Sequence, residues 1–218
     1  REAITHSQLD HENILRFLGI YHEADDSPPL TIVPHIPGGS LQALLTPEKM
    51  LGASKFQSIL LGINKGIIYL HSLQPPVIHG DLHPGNVLLD ENGCPYLCDF
   101  GQSRIRHEVT RTRTKQQAGG KARFLAPELT ESSIDRFRTS WKSDIYAFAM
   151  LSLNMWTGEK PFSDIELEWQ VSSKLVKGAR PKKPRNTSIQ INLDKSVENA
   201  FWNLLMKMWA QDPDSRPT

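Results

Sequence analysis

The string His79, Gly80, Asp81, Leu82, His83, Pro84, Gly85, Asn86 sets a carboxylate five residues before a carboxamide, directly after the apolar pair Val77 and Ile78. That spacing suits phosphoryl transfer: the Asp81 carboxylate can accept a hydrogen bond from an attacking hydroxyl while the Asn86 amide oxygen coordinates a divalent cation on the phosphate. Thirteen residues beyond Asn86, Asp99, Phe100 and Gly101 follow a hairpin-like stretch that can fold a second carboxylate back beside the first. Two hard oxygen ligands suit Mg²⁺. Either string alone is a weak signal, since an aspartate in a loop usually caps or turns the chain. The ordered combination carries far more.

The elements around these residues alternate in type. Val87 to Leu89 and Tyr96 to Cys98 read as strands flanking the turn Glu91, Asn92, Gly93. Upstream, Arg1 to Leu9 is helix-compatible, His11 to Tyr21 reads toward a strand, and Leu30 to Val33 is a short β run paired with it across the turn residues Asp25 to Pro29. Ser40 is a candidate N-cap for a short helix through Leu45, and Lys55 to Leu73 carries Ile59, Ile63, Ile67 and Leu70 at helical spacing. Downstream the chain turns helical, over Ser143 to Trp156, Ile165 to Lys177 and Val197 to Ala210. No internal repeat occurs, which argues against solenoids and propellers and leaves an α+β unit.

With 218 residues, 39% hydrophobic and 22% charged, the chain has the composition of one globular catalytic unit. Its net charge of +1 gives no general reason to bind nucleic acid or an anionic membrane. No run approaches the roughly 20 apolar residues of a membrane span. Cys94 and Cys98 would lie about 13 Å apart on one strand, beyond bridging reach, so the expected location is the reducing cytoplasm. The chain opens at Arg1 without an apolar leader, so no signal peptide is read and a truncated start is expected.

Taken together, these motifs resemble the protein kinase family, and nearly the whole chain supports the resemblance. Ala126, Pro127, Glu128 matches the close of the family's activation segment. Ser143 to Phe148 looks like the start of its buried central helix, where Asp144 belongs to the structural framework. Trp209 to Pro217 resembles its closing segment, whose arginine, Arg216 here, pairs with Glu128. Arg123, Phe124, Leu125 and Gly39, Ser40, Leu41 are nearer to the tyrosine-kinase-like branch. The resemblance implies a two-lobe α+β fold, with residues 1–33 a truncated small lobe, 34–39 a hinge and 40–218 a mostly helical large lobe. It implies Asp81 as catalytic base, Asn86 and Asp99 as Mg²⁺ ligands, and ATP as cofactor. Val33 would be the gatekeeper, the Pro34 carbonyl and Ile36 backbone would face adenine, and Leu88 would close the apolar floor. His79 and Phe100 would stack in an internal spine, and Glu2 would stand where the family's small-lobe helix carries its glutamate. The implied reaction moves the ATP γ-phosphate to a protein hydroxyl, Ser/Thr in preference to Tyr.

Several positions depart from the pattern. No glycine-rich phosphate loop and no lysine in a V-A-I-K context occur in this chain, so Glu2 lacks its partner, and weak ATP binding with little turnover is expected of the chain as it stands. Because Asp81, Asn86 and Asp99 are intact, a fragment of an active-type kinase is expected rather than a pseudokinase. Gly80 stands where many kinases have arginine, removing the cation that would clamp a phosphorylated activation segment. His83 replaces the usual Ser/Thr-kinase lysine and Lys121 the usual threonine. Lys121 can supply the positive charge that His83 does not guarantee at pH 7, or it can be a solvated surface lysine. Residues 102–123 carry seven cations against the one acid Glu108, which would favour acidic peptides if the run shapes the substrate groove. Within it, Thr110, Thr112 and Thr114 are candidate phosphosites. Two alternatives remain: a pseudokinase or scaffold that binds partners, and a small-molecule phosphotransferase of the aminoglycoside or choline kinase type, whose catalytic loop resembles residues 79–86.

Overall fold

The computed structural model describes residues 5–23, 30–45, 51–100, 104–105, 121–130, 139–184, 191 and 193–218. Glu2, Ile4, Gly101, the turn residues 25–29, the candidate phosphosites and the basic residues at 106–115 lie outside them. The described residues form a mixed α/β structure, mostly helical, with three small antiparallel sheets.

Strands β1 (Gly19–Tyr21) and β2 (Leu30–Ile32) pair antiparallel, Gly19 opposite Ile32. Leu18, Ile20, Tyr21, Leu30 and Ile32 around this hairpin are exposed. The strand expected over His11 to Tyr21 is thus confined to its last three residues. Its first half serves another surface: Leu15 N–H donates to the Leu97 carbonyl at 2.9 Å and Leu97 N–H to the Asn13 carbonyl at 2.9 Å, while Ile14 and Leu15 are buried.

Helix α1 (Leu41–Leu44) begins after Ser40, but the Ser40 side chain makes no capping hydrogen bond. Its backbone is extended and bridges to Leu88, which corrects the expected cap. Helix α2 (Ala53–Ser72) buries Phe56, Ile59, Ile63, Ile67 and Leu70 on one face. Strand β3 (Val77–Ile78) follows, then the loop 79–86 ending in a 3₁₀ turn at Pro84–Asn86, then the antiparallel pair β4 (Val87–Leu89) and β5 (Pro95–Leu97). Strand β6 (Arg104–Ile105) returns to pair with β3. The β4–β5 hairpin and the β3–β6 pairing together carry the segment after Leu97 back beside the loop that starts at His79.

Glycines let the hairpin sit close on α2. A Cβ at Gly62 would lie 2.4 Å from Pro95 Cγ, and one at Gly66 would lie 2.9 Å from Leu97 Cδ1. Helix α3 (Trp141–Thr157) is buried almost all round, as a central core helix must be. Ser140 and Ser143 close a reciprocal capping box at its start, and Gly158, at φ 72°, ends it in the left-handed region. Helix α4 (Glu168–Val176) starts later than the expected Ile165, because the Ile165 and Glu166 carbonyls accept the Arg123 guanidinium instead. Helix α5 (Lys195–Met208) packs against α3, with the Trp156 and Phe201 rings 5.4 Å apart edge to face. Among the described residues no helix is long and apolar enough to cross a membrane, and both cysteines are free thiols.

Candidate active site

Loop 79–86 is fixed from beneath by one buried carboxylate on α3. Asp144 accepts the His79 N–H at 2.9 Å, the Gly80 N–H at 2.9 Å and the His71 Nε2–H at 2.8 Å. Gly80 sits at φ 76°, where a side chain would be strained. Pro84 opens the 3₁₀ turn, and the Gly85 N–H donates to His83 Nδ1 at 3.0 Å.

Asp81 is buried at the head of this loop. Asn86 Nδ2 donates to the Asp81 carbonyl at 2.9 Å and to its Oδ2 at 3.3 Å, which commits the amide's donor side to Asp81 and leaves Oδ1 as its remaining acceptor. The Cys98 N–H donates to the Asn86 carbonyl at 3.0 Å, so Asp99 follows one residue from a direct contact with Asn86. Asp99 is exposed and holds φ at 63°, a conformation that a non-glycine residue keeps only when its surroundings enforce it. Burial, and after it the Asp99 charge, push the neighbouring Cys98 thiol up to about 12.

The Phe100 ring is buried between two histidines, 4.8 Å from the His6 ring and 5.3 Å from the His79 ring. His6 in turn touches Phe17 edge to face and hydrogen-bonds the Leu15 carbonyl through Nε2 at 2.5 Å. Burial pushes the His79 pKa below its ordinary value, against the raising effect of Asp144, Asp81 and Asp99. Sequence reasoning missed His6 and His71. The signal for His6 was its place four residues after Glu2 in a stretch whose sequence is helix-compatible.

Lys121, in the 3₁₀ turn Lys121–Phe124, donates from Nζ to Asp81 Oδ2 at 2.8 Å. His83 Nε2 lies 3.9 Å from the same oxygen, beyond hydrogen-bond reach. Burial lowers the His83 pKa, with Asp81 and Asp99 raising it and Lys121 and His79 lowering it. The next residues of the turn explain why Lys121 is held here. Arg123 is buried and donates to the carbonyls of Pro161 (3.0 Å), Phe162 (2.6 Å), Ile165 (2.6 Å) and Glu166 (3.2 Å), and its Nε reaches Glu168 at 2.6 Å.

The remaining candidates fall in two places. Leu88 is half-buried beside the segment that precedes α1, through the Ser40 bridge and the Leu89 N–H that donates to the Gly39 carbonyl at 2.8 Å. In that segment the Ile36 carbonyl accepts the Gly39 N–H at 3.2 Å, while Val33 is partly exposed and Pro34 half-buried. Far from Asp81 in sequence, Arg216 forms a two-pronged contact with Glu128.

A family model described as "Protein kinase domain" matches residues 1–218. The chain is 30% identical over 218 residues to Serine/threonine-protein kinase TNNI3K of Mus musculus, covering 100% of this chain and 24% of that protein. It is 31% identical over 221 residues to Serine/threonine-protein kinase STY17 of Arabidopsis thaliana, covering 100% of this chain and 35% of that protein. With Dual specificity protein kinase splA of Dictyostelium discoideum it shares 29% over 228 residues, covering 97% of this chain and 9% of that protein. The chain therefore spans roughly a third or less of the length of these relatives. A family model that covers every residue, and relatives of this kind over the same span, establish that the chain belongs to the protein kinase family, in its tyrosine-kinase-like branch.

Proposed function

We propose that this chain carries the catalytic site of a protein kinase that transfers the ATP γ-phosphate to a protein Ser/Thr hydroxyl. The observation that supports it most is the junction at Asn86, whose side chain donates to Asp81 and whose carbonyl accepts the N–H of Cys98, the residue before Asp99. In this reading residues 1–33 belong to the small lobe, 34–39 to the hinge and 40–218 to the large lobe. The adenine would lie between Val33, the Pro34 and Ile36 backbone and Leu88, with Ile36 using the second lone pair of its carbonyl.

The donor set fits Mg²⁺: a carboxylate at Asp99 and an amide oxygen at Asn86 whose orientation Asp81 already fixes. When bound, Mg²⁺ neutralises charge on the phosphates. Asp81 accepts the proton of the substrate hydroxyl as its oxygen bonds to the γ-phosphorus; the bond from that phosphorus to the β–γ bridging oxygen breaks, and ADP leaves. His79 and Phe100 hold the two acidic segments in register from below, and Asp144 holds the loop backbone. The close fit of Glu128 with Arg216 supports a protein-kinase arrangement over a small-molecule phosphotransferase. The test is incubation of the full-length protein that carries this chain with Mg²⁺ and γ-labelled ATP over Ser, Thr and Tyr peptide libraries. Label on Ser/Thr peptides is expected; label on Tyr peptides alone contradicts the specificity, and label on none contradicts the activity.

A further inference from the structure

The catalytic loop of this chain holds no lysine or arginine from His79 to Asn86. The basic side chain of this loop that faces the Asp81 carboxylate, His83 with Nε2 at 3.9 Å from Oδ2, accepts the Gly85 N–H on Nδ1, and a ring nitrogen that accepts carries a lone pair, so the ring is uncharged in this arrangement. The cation that touches Asp81 comes instead from 40 residues downstream: Lys121 Nζ at 2.8 Å from Oδ2, with 26% of the lysine side chain exposed against 4% of the aspartate's. Both hydrogen bonds to the Asp81 carboxylate found among the described residues, from Lys121 and from Asn86, fall on Oδ2. Oδ1 is left for an incoming hydroxyl, so the ion pair orients the carboxylate without closing it.

Lys121 does not reach Asp81 from a loose surface loop. Two residues on, Arg123 ties the same turn to four backbone carbonyls and to Glu168 at the start of α4. An ammonium held in this way acts at fixed geometry, the condition under which charge stabilisation of a phosphoryl transition state is effective.

We propose that Lys121 is a positioning residue of the phosphoryl-transfer site, holding Asp81 by Oδ2 and supplying from the activation segment the positive charge that the catalytic loop lacks. The proposal rests on the kinase reading given above. Its consequence is that positions 83 and 121 form one exchangeable pair: a lysine belongs at either of them, and its loss from both removes the charge.

The test compares wild type, Lys121→Thr, Lys121→Arg and the double variant His83→Lys/Lys121→Thr in the full-length protein, with γ-labelled ATP and the best Ser/Thr peptide. The expected result is a fall in kcat of about tenfold or more for Lys121→Thr, with KM for ATP within about twofold. Lys121→Arg should keep most of kcat, the double variant should regain most of it, and thermal midpoints should stay close to wild type. Unchanged kcat in Lys121→Thr overturns the proposal, and so does an increase, which would make the lysine a plug on Asp81. Loss without recovery in the double variant also overturns it, since a merely structural contact would behave that way. Absence of transfer by wild type defeats the kinase reading and this proposal with it, and it is told apart from the other failures because there the wild type is active.

Discussion

Arg216 grips Glu128 through two parallel hydrogen bonds, Nη1 to Oε1 at 2.7 Å and Nη2 to Oε2 at 2.8 Å, across 88 residues of sequence. The guanidinium is fully enclosed: Nε donates to the Ala210 carbonyl at 3.0 Å, Nη1 also donates to the Lys142 carbonyl at 2.9 Å, and the Tyr146 ring lies 5.1 Å away. Such a fork ties the chain's last turn to the 3₁₀ turn Pro127–Leu129 and to the start of α3.

Arg216→Ala leaves the half-buried Glu128 carboxylate without its partner and empties the fully enclosed guanidinium site, so it should cost about 2–4 kcal/mol. Arg216→Lys should recover only part of that, because an ammonium cannot make both parallel bonds. Urea denaturation of the three proteins checks this; a loss below about 1 kcal/mol in Arg216→Ala would show the pair to be dispensable.

Gly62→Ala tests how the hairpin is seated. An alanine in mid-helix ordinarily gains up to about 1 kcal/mol over glycine, but here the new methyl meets Pro95 Cγ at 2.4 Å and Cδ at 2.8 Å. The rigid ring cannot rotate away, so overpacking should win and destabilise by about 1–3 kcal/mol. Gly19→Ala, where nothing lies within 4 Å, should stay within about 0.5 kcal/mol of wild type in the same thermal melts. Equal behaviour of the two variants would contradict the close packing.

Local signals carried much of this fold, and long-range contacts carried what they missed. The β4–β5 hairpin was legible because Glu91, Asn92 and Gly93 are turn residues between apolar triplets. The return of the chain before Asp99 to the loop ending at Asn86 was legible from order and spacing, and the Cys98 N–H donates to the Asn86 carbonyl. The β3–β6 pairing was not, since neither two-residue strand has a pattern of its own. Arg123 read as one cation of the basic run over residues 102–123, yet it is buried; nothing in its neighbours signals that the carbonyls it needs lie at 161–166. The Ser40 cap failed for the opposite reason: a good capping residue was already committed to a β bridge.

Stability should fall as the solution is acidified through the histidine range. Burial lowers the pKa of both His79 and His83, whereas in the unfolded chain each titrates near about 6.5. Below that value and above the lowered ones, the unfolded state binds more protons, so stability rises with pH there. It is present in full above the unfolded-state value and lost as pH falls below it toward the lowered folded-state values, at up to about 1.4 kcal/mol per histidine per pH unit. His79→Phe, which keeps a ring against Phe100, should flatten the slope of thermal midpoint against pH. An unchanged slope would contradict the assignment.

The central claim is that Asp81 works on the hydroxyl while Asp99 works on the cation. The most direct test measures Mg·ATP affinity and single-turnover transfer together for wild type, Asp81→Asn and Asp99→Asn in the full-length protein. The account predicts that Asp81→Asn loses about 10²–10⁴-fold in transfer while Mg·ATP affinity stays within about twofold, and that Asp99→Asn weakens Mg·ATP binding itself. Transfer at the wild-type rate by Asp81→Asn, or unaltered Mg·ATP affinity in Asp99→Asn, would contradict it.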